Sequence, residues 1–286
     1  MLKKESRIGI IGLGLLGGSY AQGLSEAGYR VSGIDINADA VKKALERGWI
    51  VKGGEDPSLI QDCDIVISAL YPDAFVEWVK KNQDHFKSGC ILSDVTGIKR
   101  KVMRSLKEVL RKDVEYIAVH PMAGRESKGI DHADASQFAA ANYIIVTDND
   151  NTKEAIDTAR QIGEALRFAK ISVLDSERHD RIIGFVSQLC HVIAISLMNI
   201  SDDPSLVDYT GDSFRDLTRI ADINEDLWPE LFIGNKDFLI EEIDSLIEEM
   251  ESMKELIDAE DVEALKKKMI LATVRRRRFN KKKEII

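Results

Sequence analysis

The chain has 286 residues, 44% of them hydrophobic, enough for one large or two ordinary globular domains. Its formal charge is −9 although seven of the nine residues at 275–283 are basic, so the remainder is more acidic still, which argues against a nucleic-acid binder. Cys63, Cys90 and Cys190 are odd in number, far apart and without CxxC spacing, which argues against a disulfide framework or a zinc site and fits a reducing compartment.

The N-terminus passes from Lys3 and Lys4 straight into a predicted strand too short for a signal sequence, and no apolar run approaches the roughly 18 residues of a membrane span, so a soluble, cytoplasmic protein is expected. Residues 7–13 carry Ile8, Ile10, Ile11 and Leu13, the apolar run of a strand buried on both faces. The turn Gly12-Leu13-Gly14-Leu15-Leu16-Gly17 follows at once, then a helical pattern that Gly28 closes. Three glycines at this spacing are a weak signal alone; between a strand and a helix they fit a dinucleotide site. Gly12 permits the tight turn, Gly14 the approach of a pyrophosphate to the helix N-terminus, and Gly17 close helix-to-strand packing. A second strand, 29–34, ends at Asp35, whose carboxylate suits ribose hydroxyls and repels a 2′-phosphate. No Arg or Lys stands at 36–41 to bind such a phosphate, so NAD is favoured over NADP.

Strands are predicted next at 64–70, 90–93, 115–119, 143–147 and 170–174, with helical patterns between them. The alternation implies a Rossmann-like, doubly wound, mostly parallel sheet with its ligand crevice at the carboxyl ends of the strands. Leu15, Leu16, Ser68 and Asp94 therefore join Gly12, Gly14, Gly17 and Asp35 as candidate cofactor contacts. His120, opening His120-Pro121-Met122-Ala123-Gly124, is predicted one residue past a strand end. A dehydrogenase that removes hydride from a carbon bearing a hydroxyl needs a base for the hydroxyl proton, and histidine titrates nearest neutral pH.

After Asp175 the pattern turns helical, so domains are expected at 1–174 and 175–286. His179, Ser187 and His191 lie near one face of a helix starting near Ser176. They are either buried polar groups that hold helices together or site residues, and with no carboxylate triad nearby they fall short of a metal ligand set. Arg215 and Arg219, four apart, either clamp carboxylates or pair on the surface with Asp212 and Asp216. A break at Gly234-Asn235 precedes a heptad-like seam of Leu239, Ile243, Leu246, Met250, Met253 and Ile257 that needs another helix to pack on. The basic run at 275–283 reads as a solvated tail or a contact with an acidic partner subunit, and is assigned no function.

The glycine turn through Asp35, the stretch from His120 to Gly124, His179-Asp180 through Ser187-Gln188-Leu189-Cys190-His191, and Phe214-Arg215-Asp216-Leu217-Thr218-Arg219-Ile220-Ala221 followed by Trp228 together resemble the monofunctional prephenate dehydrogenases of tyrosine biosynthesis. The resemblance spans nearly the whole chain. It implies an NAD-binding domain followed by an all-helical dimerisation domain, a homodimer, and oxidative decarboxylation of prephenate to 4-hydroxyphenylpyruvate. It makes His120 the catalytic histidine at the substrate's 4-hydroxyl, Arg219 the receiver of a carboxylate and His191 a further substrate contact. Ser187, Arg215 and Trp228, from the same stretches, complete the candidate substrate site. One position departs: where relatives often carry a serine bonded to the catalytic histidine, this loop reads Asp94-Val95-Thr96-Gly97-Ile98-Lys99, with Gly97 at the matching place and Thr96 the candidate to supply the hydroxyl. Two rivals stay open at this point, arogenate dehydrogenase of the same family and a catalytically dead NAD-sensing regulatory protein.

Overall fold

A computed structural model of the chain describes residues 2–124 and 127–279. Its sheet is laid down by β1 (Arg7–Ile11), α1 (Leu15–Glu26), β2 (Arg30–Ile34), α2 (Ala38–Glu46), β3 (Lys52–Gly54), β4 (Ile65–Ser68), α3 (Pro72–Asn82), β5 (Ile91–Asp94), α4 (Arg100–Val109), β6 (Glu115–Pro121), β7 (Asn142–Thr147), α5 (Lys153–Ala165) and β8 (Lys170–Asp175). The eight strands run in the order β3-β2-β1-β4-β5-β6-β7-β8, and every pairing is parallel except β6 with β7. The order reverses between β1 and β4, the crevice where doubly wound sheets take their ligands.

Alternation along each strand divides the core between the two faces. Ile8 and Ile10 of β1 and Ile65 and Ile67 of β4 bury with Leu13, Tyr20, Leu24 and Phe138, while Ile11 and Val66 bury with Phe75, Val79, Leu92 and Leu231. Burial on both faces explains why these strands read as continuous apolar runs. Strand β3 escaped prediction because Lys52-Gly53-Gly54 offers no side-chain pattern; it is held by pairing to Ser32, Gly33 and Ile34 at the sheet edge.

One expected position is corrected. His120 is not past the end of its strand: β6 runs on to Pro121, and His120 pairs with Ile144 of β7. The pairing of β5 ends at Ala118, so Val119, His120 and Pro121 outrun that neighbour on one side.

No strand follows β8 among the described residues. The chain continues through α6 (Ser176–Ile183), a π-helical turn (Gly184–Gln188), α7 (Leu189–Met198), α8 (Asp212–Thr218), α9 (Trp228–Gly234), α10 (Lys236–Asp258) and α11 (Val262–Arg277). The expectation that no segment is long and apolar enough for a membrane span is corrected by Ser176–Met198, a helical run of 23 residues that meets that test by length and composition. His179, Asp180 and Gln188 are buried polar residues within it, and Ser187 and His191 are further polar breaks in its apolar run.

The chain divides into two compact units, 1–236 and 237–286. Compactness thus draws its boundary beyond the expected 174. Polar bonds bind the segment after 174 into the first unit: Asp180 accepts from the backbone N–H groups of Lys99 and Arg100, each at 2.9 Å. In the second unit α10 and α11 form a hairpin, with Asp261 capping α11 and Lys268 reaching Glu249 at 2.9 Å. Of the basic run, residues 280–283 lie outside the described residues.

Candidate active site

At the end of β1 the chain turns on Gly12, whose φ of +87° is a conformation that favours glycine. A Cβ on Gly17 would stand 1.7 Å from the Gly12 carbonyl oxygen, so the helix can lie this close to the strand only without a side chain. Gly14, the residue before α1, has open space where a Cβ would be, and Gly14, Leu15 and Leu16 face a cavity of about 630 Å³. A helix N-terminus opening bare onto a cavity is a ready-made phosphate site. At the end of β2, Asp35 accepts from the Leu13 N–H at 2.6 Å and the Asn37 N–H at 2.8 Å, which fixes its carboxylate against the turn.

From Gly14 the cavity runs past Ala69 and Leu70, at the end of β4, to Thr96, Gly97 and His120, and on to Ser187, Gln188, His191, Arg219 and Trp228. His120 Nδ1 lies 2.9 Å from His179 Nε2, and His179 Nδ1 lies 2.7 Å from Asp180 Oδ1. The other ring nitrogen, His120 Nε2, would be 4.0 Å from a Cβ on Gly97 and so belongs to the cavity side. Burial, the His179 ring and the Lys99 ammonium together hold the His120 pKa well below its ordinary 6.5. The imidazole is therefore neutral at physiological pH, with a nitrogen available as a base.

Helix geometry explains how one segment supplies both flanks of this site. The π-helical turn at Gly184–Gln188 shifts the register between α6 and α7. His179 and Asp180 are fully buried beneath His120, while Ser187 and His191 line the cavity. His191 donates from Nδ1 to the Ser187 carbonyl at 2.9 Å and packs on Trp228 with ring centres 3.7 Å apart. Trp228, a candidate from the resemblance, thus forms an aromatic wall of the cavity.

Four expected contacts come out differently. Asp94 is fully buried in an ion pair with Lys99, 2.7 Å apart, and accepts further from the Tyr116 hydroxyl at 2.7 Å, so its carboxylate is committed to holding the loop and not to the cofactor. The Thr96 hydroxyl donates to that same Asp94 carboxylate and is not offered to His120. Gly97 is the loop position beside His120, as the resemblance implied, and it carries no hydroxyl. Ser68 is fully buried and accepts weakly from the Leu70 N–H at 3.4 Å; Ala69 and Leu70 take its place at the cavity. Arg215 pairs with Asp212 at 2.5 Å and donates to the Thr210 carbonyl at 2.8 Å, which bears out the surface reading for this residue, whereas Arg219 lines the cavity.

Sequence reasoning missed Gln188, Tyr71, Asn224 and Lys128, which also line the cavity. Gln188 adjoins Ser187 in a stretch already singled out, and Tyr71 follows a strand end; Asn224, which donates to the Tyr71 hydroxyl at 2.7 Å, carries no sequence signal.

A doubly wound sheet whose glycine turn, neutral histidine and polar helical wall share one cavity defines a dinucleotide-dependent oxidoreductase. Comparison with known proteins narrows the class. The profile of the prephenate dehydrogenase nucleotide-binding domain matches residues 20–171, and that of the prephenate dehydrogenase dimerization domain matches residues 175–271. The chain belongs to the prephenate dehydrogenase family. It is 29% identical over 247 residues to the prephenate dehydrogenase of Lactococcus lactis, covering 84% of this chain and 68% of that one. It is 26% identical over 276 residues to that of Bacillus subtilis, covering 93% and 74%. The crystal structure of Aquifex aeolicus prephenate dehydrogenase with hydroxyphenyl propionate and NAD+ superposes with a TM-score of 0.88 at 26% identity, covering 98% of this chain and 99% of that one.

Proposed function

We propose that this enzyme uses NAD to oxidise and decarboxylate prephenate to 4-hydroxyphenylpyruvate in tyrosine biosynthesis. The carrying observation is that Gly14, His120 and Arg219 line one continuous cavity. Prephenate bears a hydroxyl at C4 and a carboxylate at C1 of a cyclohexadiene ring, so loss of hydride from C4 and of CO2 from C1 makes the ring aromatic and supplies the driving force. Bound NAD supplies the hydride acceptor. His120 Nε2 takes the hydroxyl proton as hydride leaves C4 and returns it to the same oxygen once the electrons freed with CO2 have made the ring aromatic, so the product carries a phenol; Arg219 holds a substrate carboxylate with its two-donor fork. His191 and Trp228 bound the substrate side of the cavity. Initial rates of NAD reduction with prephenate and with arogenate, the relative bearing an amine in place of the keto group, test the substrate: a higher kcat/KM is expected for prephenate, and the reverse order would reassign the enzyme to arogenate.

The residues at the turn fit the cofactor. Gly14 leaves the helix N-terminus bare, and Asp35, flanked by Ile36 and Asn37 without a basic group, suits ribose hydroxyls and repels a 2′-phosphate. Asp35→Ala is expected to weaken NAD and relax discrimination against NADP, since acceptor and charge vanish together. The readout is the ratio of kcat/KM for the two cofactors; an unmoved ratio would show that Asp35 does not read the ribose.

The working form is a homodimer joined through residues after about 175, within the segment that matches the family's dimerization domain. Supporting this, the run Ser176–Met198 leaves Phe185 and Val186 exposed, and the seam on α10 leaves Met250 and Ile257 exposed. Sedimentation should give a dimer at micromolar concentration; a fully active monomer there would remove dimerisation as a requirement. A cytoplasmic location, open to cell fractionation, is supported by the three free cysteines, of which burial raises Cys63 to about 11 and Cys90 to about 12.

A further inference from the structure

We infer that His179 and Asp180 are positioning residues that lock His120 in the tautomer with hydrogen on Nδ1, so that the lone pair on Nε2 faces the substrate. The inference rests on His120 being the proton acceptor. Four donors converge on Asp180: the Lys99 and Arg100 N–H groups at 2.9 Å each, Arg100 Nε at 3.3 Å and His179 Nδ1 at 2.7 Å. Burial alone would raise its pKa, but the His179 ring and the two backbone N–H groups outweigh burial and hold it below the usual carboxylate range. Asp180 is therefore an ionised, acceptor-only group, and His179 must carry its hydrogen on Nδ1.

Burial keeps His179 neutral by lowering its pKa from 6.5, an effect that Asp180 only partly opposes, so Nε2 has a lone pair and can only accept. Its partner at 2.9 Å, His120 Nδ1, must then be the donor, which leaves Nε2 of the neutral His120 unprotonated beside Gly97. When the substrate O–H breaks and the Nε2–H bond forms, the new imidazolium keeps its Nδ1–H on His179, and His179 keeps its own on Asp180. The positive charge is met by a fixed carboxylate two hydrogen bonds away, and no proton has to leave the chain. Such a buried acceptor behind a catalytic imidazole sets tautomer and orientation, and its loss in comparable arrangements costs up to about 10⁴-fold in kcat. Here the role is filled across 59 residues of sequence, from a helix to a strand.

Nitrogen-15 NMR of histidine-labelled protein at pH 7 reads the tautomer directly, with the His120 resonances identified by their absence in His120→Asn. We expect hydrogen on Nδ1 and a bare Nε2 in the unaltered protein, a mixed or reversed pattern in His179→Leu, and the native pattern in His179→Gln, whose amide oxygen can still accept. For NAD reduction, His179→Leu should lose at least about 10-fold in kcat and His179→Gln should keep most of it. Hydrogen on Nε2 of His120 in the unaltered protein overturns the inference, as does a folded His179→Leu with native tautomer and native kcat. If His179→Leu does not fold, the unaltered protein and His179→Gln decide it. A protein that fails to oxidise prephenate yet shows the locked tautomer would sink the proposed reaction and leave the lock standing.

Discussion

His120→Asn is expected to bind NAD and keep its fold while kcat for prephenate falls about 10²- to 10⁴-fold, the usual contribution of a placed general base. The side chain stands where β6 outruns β5, with one ring nitrogen bonded to His179 and the other on the cavity. Asparagine preserves polarity and approximate size but supplies no group that takes a proton near neutral pH. The pH profile carries the same signature. Because burial, His179 and Lys99 keep the folded-state pKa of His120 well below 6.5, the acidic limb of kcat/KM should lie below that pH rather than at it. The sign also fixes a stability trend: the unfolded chain takes up a proton near 6.5 that the native His120 refuses, so this group's contribution is present above pH 6.5 and is lost as pH falls below it. A variant with near-native kcat would remove His120 from the chemistry.

The second large effect belongs to Arg219. Arg219→Lys keeps the charge and loses the planar fork, and a lost hydrogen bond to a charged group costs about 1.5–3 kcal/mol, so KM for prephenate should rise roughly 10- to 100-fold with KM for NAD nearly unchanged. Arg215→Lys should be almost silent. Arg215 is exposed and pairs with Asp212, a contact worth at most about 1 kcal/mol. The contrast separates two arginines one helical turn apart, and equal effects at both would overturn the carboxylate role of Arg219.

Much of this was legible from the sequence because the chain buries its sheet on both faces. Ile8, Ile10 and Ile11, or Ile65, Val66 and Ile67, leave no choice but an interior strand, and the turn between Gly12 and Gly17 names its own function by following one. His120, Ser187, His191 and Trp228, which line the cavity, were legible from spacing or resemblance, and Asp35 was legible as the residue at the end of β2. What was not legible depends on where side chains point after folding. Ser68 and Asp94 lie at the right strand ends, but their side chains turn into the protein, and Asp94 finds a buried partner in Lys99 that nothing in the sequence announces. Thr96 was assigned for its hydroxyl, which a carboxylate two residues away claims first. The pairing of His120 with His179 was hidden because the two are 59 residues apart and because a π-helical turn separates the buried His179 from the cavity-lining His191 on what reads as one continuous helical face. Lys52-Gly53-Gly54 shows the complementary limit: backbone pairing alone makes a strand there, and backbone pairing leaves no residue pattern.

The coupling of oxidation to decarboxylation is the centre of the account, and the purified protein with NAD and prephenate tests it in one vessel by following NAD reduction and CO2 release together. The account predicts that the two appear in equal amounts, with 4-hydroxyphenylpyruvate as the organic product. NAD that binds yet is reduced with neither prephenate nor arogenate would contradict it and point to a regulatory binding protein, and reduction without CO2 would contradict the proposed reaction itself.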